Sequence, residues 1–251
     1  MIIYKKKNIM KKFVAVFCLI SFFSVQSCFM ERSSDERVKH TEEMTFESFD
    51  GIKISRLFKT KVIKGDKFNV TASVPERYAD CLSIEIDSEN NLVVTLNCEI
   101  NNPKRRDIFE AEITCPSFER IIASDLCKVS VVSEFSAENI ELMAYSLSEI
   151  TFREQLTVGN NCIVNAESMS KINIIGTTSS LEVKASDMAN VDCSKLSAKT
   201  VNASSSSMSG ITVNADEKLE LKATDMSRIR YTGGGEVVKS ESESMSTIKK
   251  R

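Results

Sequence analysis

Residues 181–213 read LEVKASDMANVDCSKLSAKTVNASSSSMSGITV, and one pattern occurs in them twice. LEVKASDMANVDC and TVNASSSSMSGITV each combine an apolar/polar alternation, a small polar cluster around a Met, and a second alternation. Aligned on Met188 and Met208, the unit extends to seven copies between about residue 119 and Arg251. The anchors are Leu126, Leu147, Met169, Met188, Met208, Met226 and Met245, at steps of 21, 22, 19, 20, 18 and 19 residues. Such a period is too short for paired-helix repeats and too irregular for a coiled coil. It suits one coil of a β-solenoid.

The columns of the alignment carry this reading. Three residues before the anchors stand Ala123, Ala144, Ala166, Ala185, Ser205, Ala223 and Ser242; five before stand Ile121, Leu142, Val164, Val183, Ala203, Leu221 and Ser240. Three after stand Val129, Ile150, Ile172, Val191, Ile211, Ile229 and Ile248; five after stand Val131, Phe152, Ile174, Cys193, Val213, Tyr231 and Lys250. Polar residues fill the positions between, so each half-repeat alternates with period two, as a strand with one buried face must. Two strands meet at the Ser/Asp-Met-Ser corner, and the reading places Met188 and Met208 inside the middle coils. The last coil is polar at Ser240, Ser242 and Lys250, as a terminal cap should be. With 251 residues, 42% apolar, 3 Pro and 8 Gly, the chain fits one β-rich domain.

Residues 1–27 read as a processing signal. From Met10, MKKFVAVFCLISFFSVQSC has a basic start, an apolar run and Val25-Gln26-Ser27-Cys28, the layout of a secretory leader. The run of about a dozen residues is short of the roughly 20 that span a bilayer. Its end resembles a bacterial lipoprotein signal, which implies lipid on Cys28 and the membrane as partner through that lipid. Residues 28–43 read as a charged, flexible tether. Residues 1–27 hold five Lys and no acid, so their removal leaves 28 basic against 35 acidic residues, a net charge of −7. Phosphate binding needs a concentrated basic face, so no nucleic-acid partner is expected.

From Met44 to Phe118 the pattern is still β but lacks the repeat. FESFDGIKIS, KTKVIKGDKFNVTAS, CLSIEID and NLVVTLN alternate between turn signals at Asp50-Gly51, Gly65-Asp66 and Ser88-Glu89-Asn90-Asn91,. Residues 44–118 are thus expected to start the solenoid and cover its N-terminal end, with 119–251 as seven regular coils of a single domain. The FDGIKIS and KVIKGDKFNVTAS blocks, LVVTL and the repeated ASDMS-type units resemble the bacterial head GIN domain, an auto-transporter adhesin family, over nearly all of residues 44–251. The resemblance implies an all-β fold, a right-handed single-stranded parallel β-helix on a secreted or envelope-anchored protein, and supplies no catalytic motif. The Asp-Met-Ser corners depart from the small Gly-Ala-Ser corners of many relatives.

Little catalytic chemistry is on offer. His40, the only histidine, falls in the tether, which removes imidazole-based sites. Gly233-Gly234-Gly235 lacks phosphate-loop spacing and reads as a turn between coils. Asp125, Asp187 and Asp225 share the position before the anchor, where other coils carry Ser. Two coils would separate Asp187 from Asp225 by about 10 Å, beyond the spacing of inverting hydrolases, so both residue types read as corner formers that bond nearby backbone N–H groups. Cys162 and Cys193 fall in inward columns; Cys81, Cys98 and Cys115 allow a disulfide whose pairing stays open. No metal site and no cofactor is expected.

These residues point to a non-catalytic, lipid-anchored cell-envelope protein of the outer membrane that presents its β-helix for adhesion or recognition of a surface glycan or envelope protein. The alternatives are a carbohydrate-active β-helix enzyme and a structural envelope scaffold. The outward positions Lys128, Glu149, Lys171, Asn190, Arg228 and Arg230 include no aromatic sugar platform, which disfavours the enzyme. Ile122, Met143 and Ile163 break the alternation on neighbouring strands. Part of segment 44–118 is expected to pack over them, with an interface for a partner as the alternative.

Overall fold

The computed structural model describes residues 39–100 and 107–251; the leader, Cys28 and residues 29–38 lie outside the described residues. The chain runs through β1 (Lys39–Phe46), β2 (Gly51–Ile54), β3 (Lys59–Lys64) and β4 (Phe68–Pro75) to a short 3-10 helix, Glu76–Cys81. Then come β5 (Leu82–Ile86), β6 (Asn91–Leu96), β7 (Glu110–Cys115), β8 (Arg120–Ala123), β9 (Lys128–Val131), β10 (Phe135–Ala144), β11 (Glu149–Phe152) and β12 (Leu156–Ala166). Three long strands, β13 (Lys171–Ala185), β14 (Asn190–Ser205) and β15 (Gly210–Ala223), lead to β16 (Arg228–Thr232), β17 (Glu236–Ser242) and β18 (Thr247–Lys250).

From β8 onward every pairing is parallel and joins equivalent residues of successive repeats. On the wall before the corner, Ile121 lies beside Leu142, then Val164, Val183, Ala203 and Leu221. On the wall after it, Val129 starts the row Ile150, Ile172, Val191, Ile211, Ile229. All of these are buried, so like stacks on like and closes a core that no single coil could bury. The expected β-solenoid of about 20 residues per coil is the observed fold.

The N-terminal segment adds to this stack in a shuffled order. β2 pairs in parallel with both β6 and β8, and β3 with both β7 and β9, so the β2–β3 coil sits between a later coil and the regular repeats. Antiparallel pairings β1–β4, β4–β7 and β5–β6 finish the end. Aromatic contacts fill it, among them Phe49–Phe68 at 4.8 Å, Phe58–Phe109 at 6.0 Å and Phe118–Phe135 at 4.7 Å. Residues 39–43, expected in the tether, belong to β1. This strand has no apolar residue before Met44, yet it pairs through its backbone along all of β4 and places His40 opposite Val74.

The corners differ from expectation. Met188 and Met208 are not inside: they are 51% and 55% exposed. At every corner the residue before the anchor and the anchor itself both have φ between 50° and 67°. Two successive left-handed residues, closed by a hydrogen bond such as Ser209 N–H to Ser206 C=O at 3.1 Å, make a turn of the I′ kind. The strand alternation fails across such a turn. Positions −1 and 0 both face out, and position +1 turns in: Cys127, Ser148, Ser170, Ala189, Ser209 and Ser227 are buried. Left-handed backbone costs a non-glycine residue about 1–2 kcal/mol. A hydrogen-bond ladder along the corner offsets it, with each anchor N–H donating to the C=O before the next anchor, as in Met188 to Ser207 and Met208 to Asp225, both 2.9 Å. The buried serines add a second ladder to carbonyls one coil back: Ser148 Oγ to Ala123 O at 2.7 Å, Ser170 Oγ to Ala144 O at 2.8 Å and Ser227 Oγ to Ser205 O at 2.8 Å. Arg56 and Leu57, also at positive φ, form an equivalent eighth corner, and Leu57 N–H donates to Asp125 O at 3.0 Å.

Candidate recognition surface

Among the described residues no three His, Cys, Asp or Glu side chains come together as a metal site. The aspartates of the corner column face outward. Ser124 and Ser186 hydroxyls lie 3.1 and 3.3 Å from the carboxylates of Asp125 and Asp187, so these carboxylates bond neighbouring hydroxyls rather than backbone N–H groups. Asp is nonetheless at home there, because it tolerates left-handed backbone. Cys81 and Cys98 form a disulfide, while Cys115, Cys127, Cys162 and Cys193 are free and buried. Burial pushes the thiols of Cys115, Cys127 and Cys162 up to about 12 and Cys193 well above its ordinary value. They are packing residues, since a reactive cysteine needs its thiolate. Gly233-Gly234-Gly235 lies between β16 and β17, with Gly233 at φ 95°.

Ile122, Met143 and Ile163 are half-buried on the wall before the corner. Segment 44–118 joins this wall edge to edge rather than lying across it: Lys53 of β2 stands beside Ile122, which stands beside Met143. Ile163 is two residues off that row, between Glu141 and Glu182. Ion pairs frame the patch. Lys53 Nζ lies 2.6 Å from Asp87 and 3.2 Å from Glu89; Arg120 lies 2.8 Å from Glu141 and 3.6 Å from Glu89. Partial burial works to raise the Asp87 carboxyl, but hydrogen bonds from Lys53, Asn91 and Glu89 overcome it and hold the group well below the usual carboxylate range. The hydrogen bond to Asp87 in turn raises Lys53.

A groove of about 630 Å³ opens on the other wall, across β3, β4, β7 and β9. Lys59, Lys61, Lys128 and Arg153 line it against Glu110 and Glu112. Glu110 is bridged to Lys39 at 2.9 Å and Lys128 to Glu149 at 3.5 Å, which leaves Lys59, Lys61 and Arg153 against Glu112. The repeat alignment does not reveal this groove, because β3, β4 and β7 lie outside the repeat and meet β9 only through the shuffled coil order. Of the outward residues named from the repeat, Lys128 alone lines it.

The residues that build these walls match a family model described as "Putative auto-transporter adhesin, head GIN domain" over residues 48–235. The chain belongs to this head GIN domain family. Solved structures share its fold. A crystal structure described as a putative adhesin from Bacteroides fragilis is 17% identical with a TM-score of 0.77, covering 86% of this chain and 98% of its own. One described as a putative adhesin from Parabacteroides merdae is 14% identical with a TM-score of 0.65, covering 85% and 96%. One described as a putative lipid binding protein from Parabacteroides distasonis is 15% identical with a TM-score of 0.67, covering 85% and 96%. No curated protein matches the chain. The family places this head GIN domain chain among cell-surface or envelope proteins with an adhesion-type role.

Proposed function

We propose that this chain is a lipid-anchored envelope protein of the outer membrane, held through Cys28, whose β-helix binds an acidic surface glycan without catalysis. The groove across β3, β4, β7 and β9 carries the reading, since four cationic side chains face it and only two carboxylates oppose them. Charged side chains on paired strands hold fixed spacings of about 5 Å, and an extended anionic polymer can be met by several of them at once. Family membership supports the adhesion-type role.

The test has two arms. Glycan arrays with carboxylated, sulfated and neutral glycans are probed with the full chain and with Lys61→Glu and Arg153→Glu variants. Binding of acidic glycans that falls at least tenfold in both variants is expected; retained binding in both, or binding of an envelope protein alone, refutes the ligand. Separately, Cys28→Ala should move the protein from the membrane fraction to the soluble fraction, because one change removes all acyl chains. Unchanged membrane association refutes the anchor.

A further inference from the structure

The corner column forms an exposed apolar ridge. From Leu126 to Met226 the anchors are between 46 and 55% exposed, and Met245 is 84% exposed. At about 4.8 Å per coil the ridge is about 30 Å long. Its exposed side chains add up to on the order of 600 Å², at the top of the range for the largest apolar patch of a soluble monomer. Nothing in the interior requires Met at this position, since the left-handed backbone there would be better served by Asn, Asp or Gly.

The flanks of the ridge are unlike each other. At the two positions immediately preceding the anchors stand the exposed acids Asp125, Glu167, Asp187, Asp225 and Glu243, with no base among them; Lys184 and Lys222, two positions further back, are paired with Glu182 and Glu241. On the side following them stand the exposed bases Lys128, Lys171 and Arg228 at the nearest outward position. Three coils carry an acid and a base together. The coil with Asp125 carries Lys128, the coil with Glu167 carries Lys171 and the coil with Asp225 carries Arg228. Asp187 shares its coil with Asn190, a neutral donor. Glu149, the one acid of that basic row, shares a coil with the hydroxyls of Tyr145 and Ser146. Among the described residues Glu167, Lys171, Asp225 and Arg228 make no ion pair within the chain.

We infer that the ridge is the contact surface for a second copy of this chain, packed side by side about a two-fold axis parallel to the solenoid. That operator sets each anchor against its own counterpart and swaps the flanks, so Asp125, Glu167 and Asp225 meet Lys128, Lys171 and Arg228 of the same coil in the partner. A two-fold axis perpendicular to the solenoid sets acidic row against acidic row, and like charges across an interface oppose it. An anionic membrane surface would likewise meet the acidic row. Ridge and flanks together approach the ~800 Å² per partner of a standard interface. The parallel arrangement also puts both β1 strands at the same end.

Cysteine cross-linking in cells that express the full chain with Cys18→Ser and Cys28→Ser tests this, read on non-reducing gels after mild oxidation. Leu147→Cys and Met226→Cys stand second from either end of the ridge. A parallel dimer predicts that each variant alone forms a disulfide-linked dimer of this chain. An antiparallel dimer predicts a product only when both variants are co-expressed. In sedimentation of the purified chain, Lys171→Glu should weaken the dimer at least tenfold, and adding Glu167→Lys should restore it. These residues are exposed, so folding is not at stake. No cross-link in either single variant, a product only from the mixture, linkage to a different protein, or a charge-swapped double variant no tighter than Lys171→Glu overturns the inference.

Discussion

Substituting at positions 208 and 209 separates the two faces of one corner. Ser209 is 2% exposed, and its hydroxyl lies 2.8 Å from Ala185 O and 2.7 Å from the hydroxyl of Ser205, itself 1% exposed. Ser209→Ala removes a hydrogen bond of about 1 kcal/mol and leaves the Ser205 hydroxyl without that partner, which brings the expected cost to about 2 kcal/mol. Ala185 O keeps its bond from Ser206 N–H, which limits the loss. At ~2–4 °C per kcal/mol for a domain of this size, the Tm should drop by about 4–8 °C. Met208→Asn, by contrast, trades an exposed side chain for one that tolerates left-handed backbone, so it should stay within about 0.5 kcal/mol. Ile211→Ala, two positions further along and also 2% exposed, should cost about 2–5 kcal/mol. Thermal melts and urea titrations at low micromolar concentration, where self-association contributes least, read all three. A Met208→Asn variant as destabilised as Ser209→Ala would refute the corner geometry.

Four further outcomes follow from the same structure. Gly176→Ala, at φ 150° with an added Cβ only 1.8 Å from Leu156 O, should lower stability by about 2–4 kcal/mol in a melt. Asp87, held well below the usual carboxylate range, contributes stability that is present above about pH 4 and lost as the pH falls through its folded value; Asp87→Asn should flatten the acid limb of a stability–pH profile. The thiols of Cys115, Cys127, Cys162 and Cys193, raised by burial, should resist alkylation at pH 8 in the folded protein and react fully in denaturant. Stability should also decline as the pH rises above about 8.5, where unfolded thiols ionise and buried ones do not,.

The strand columns were legible because period-two alternation reports burial directly: the apolar residues at −5, +3 and +5 through the middle coils are buried. The anchor misled for a local reason. A conserved-looking apolar column normally means core, but here two left-handed residues precede the turn inward, and the true inner position is held by Ser, Ala or Cys, whose small size gives no hydrophobic signal. The corner at Arg56–Leu57 was hidden because its neighbours lack the small polar cluster. The first five residues of β1 were hidden because an all-polar stretch carries no alternation to read, and the groove because it depends on coils stacked out of chain order. Ile122, Met143 and Ile163 show the converse limit: their departure from alternation is visible in sequence, yet Lys53, Arg120 and Glu141 frame them within the wall itself.

Methionine oxidation footprinting tests the central claim, the outward ridge, most directly. Dilute folded protein is exposed to low peroxide and each methionine is followed by mass spectrometry. Met169, Met188, Met208, Met226 and Met245 should oxidise at nearly the rate of the unfolded chain, while half-buried Met44 and Met143 lag behind them,. Protection of Met188 and Met208 until the protein unfolds would place the anchors in the core and contradict the account.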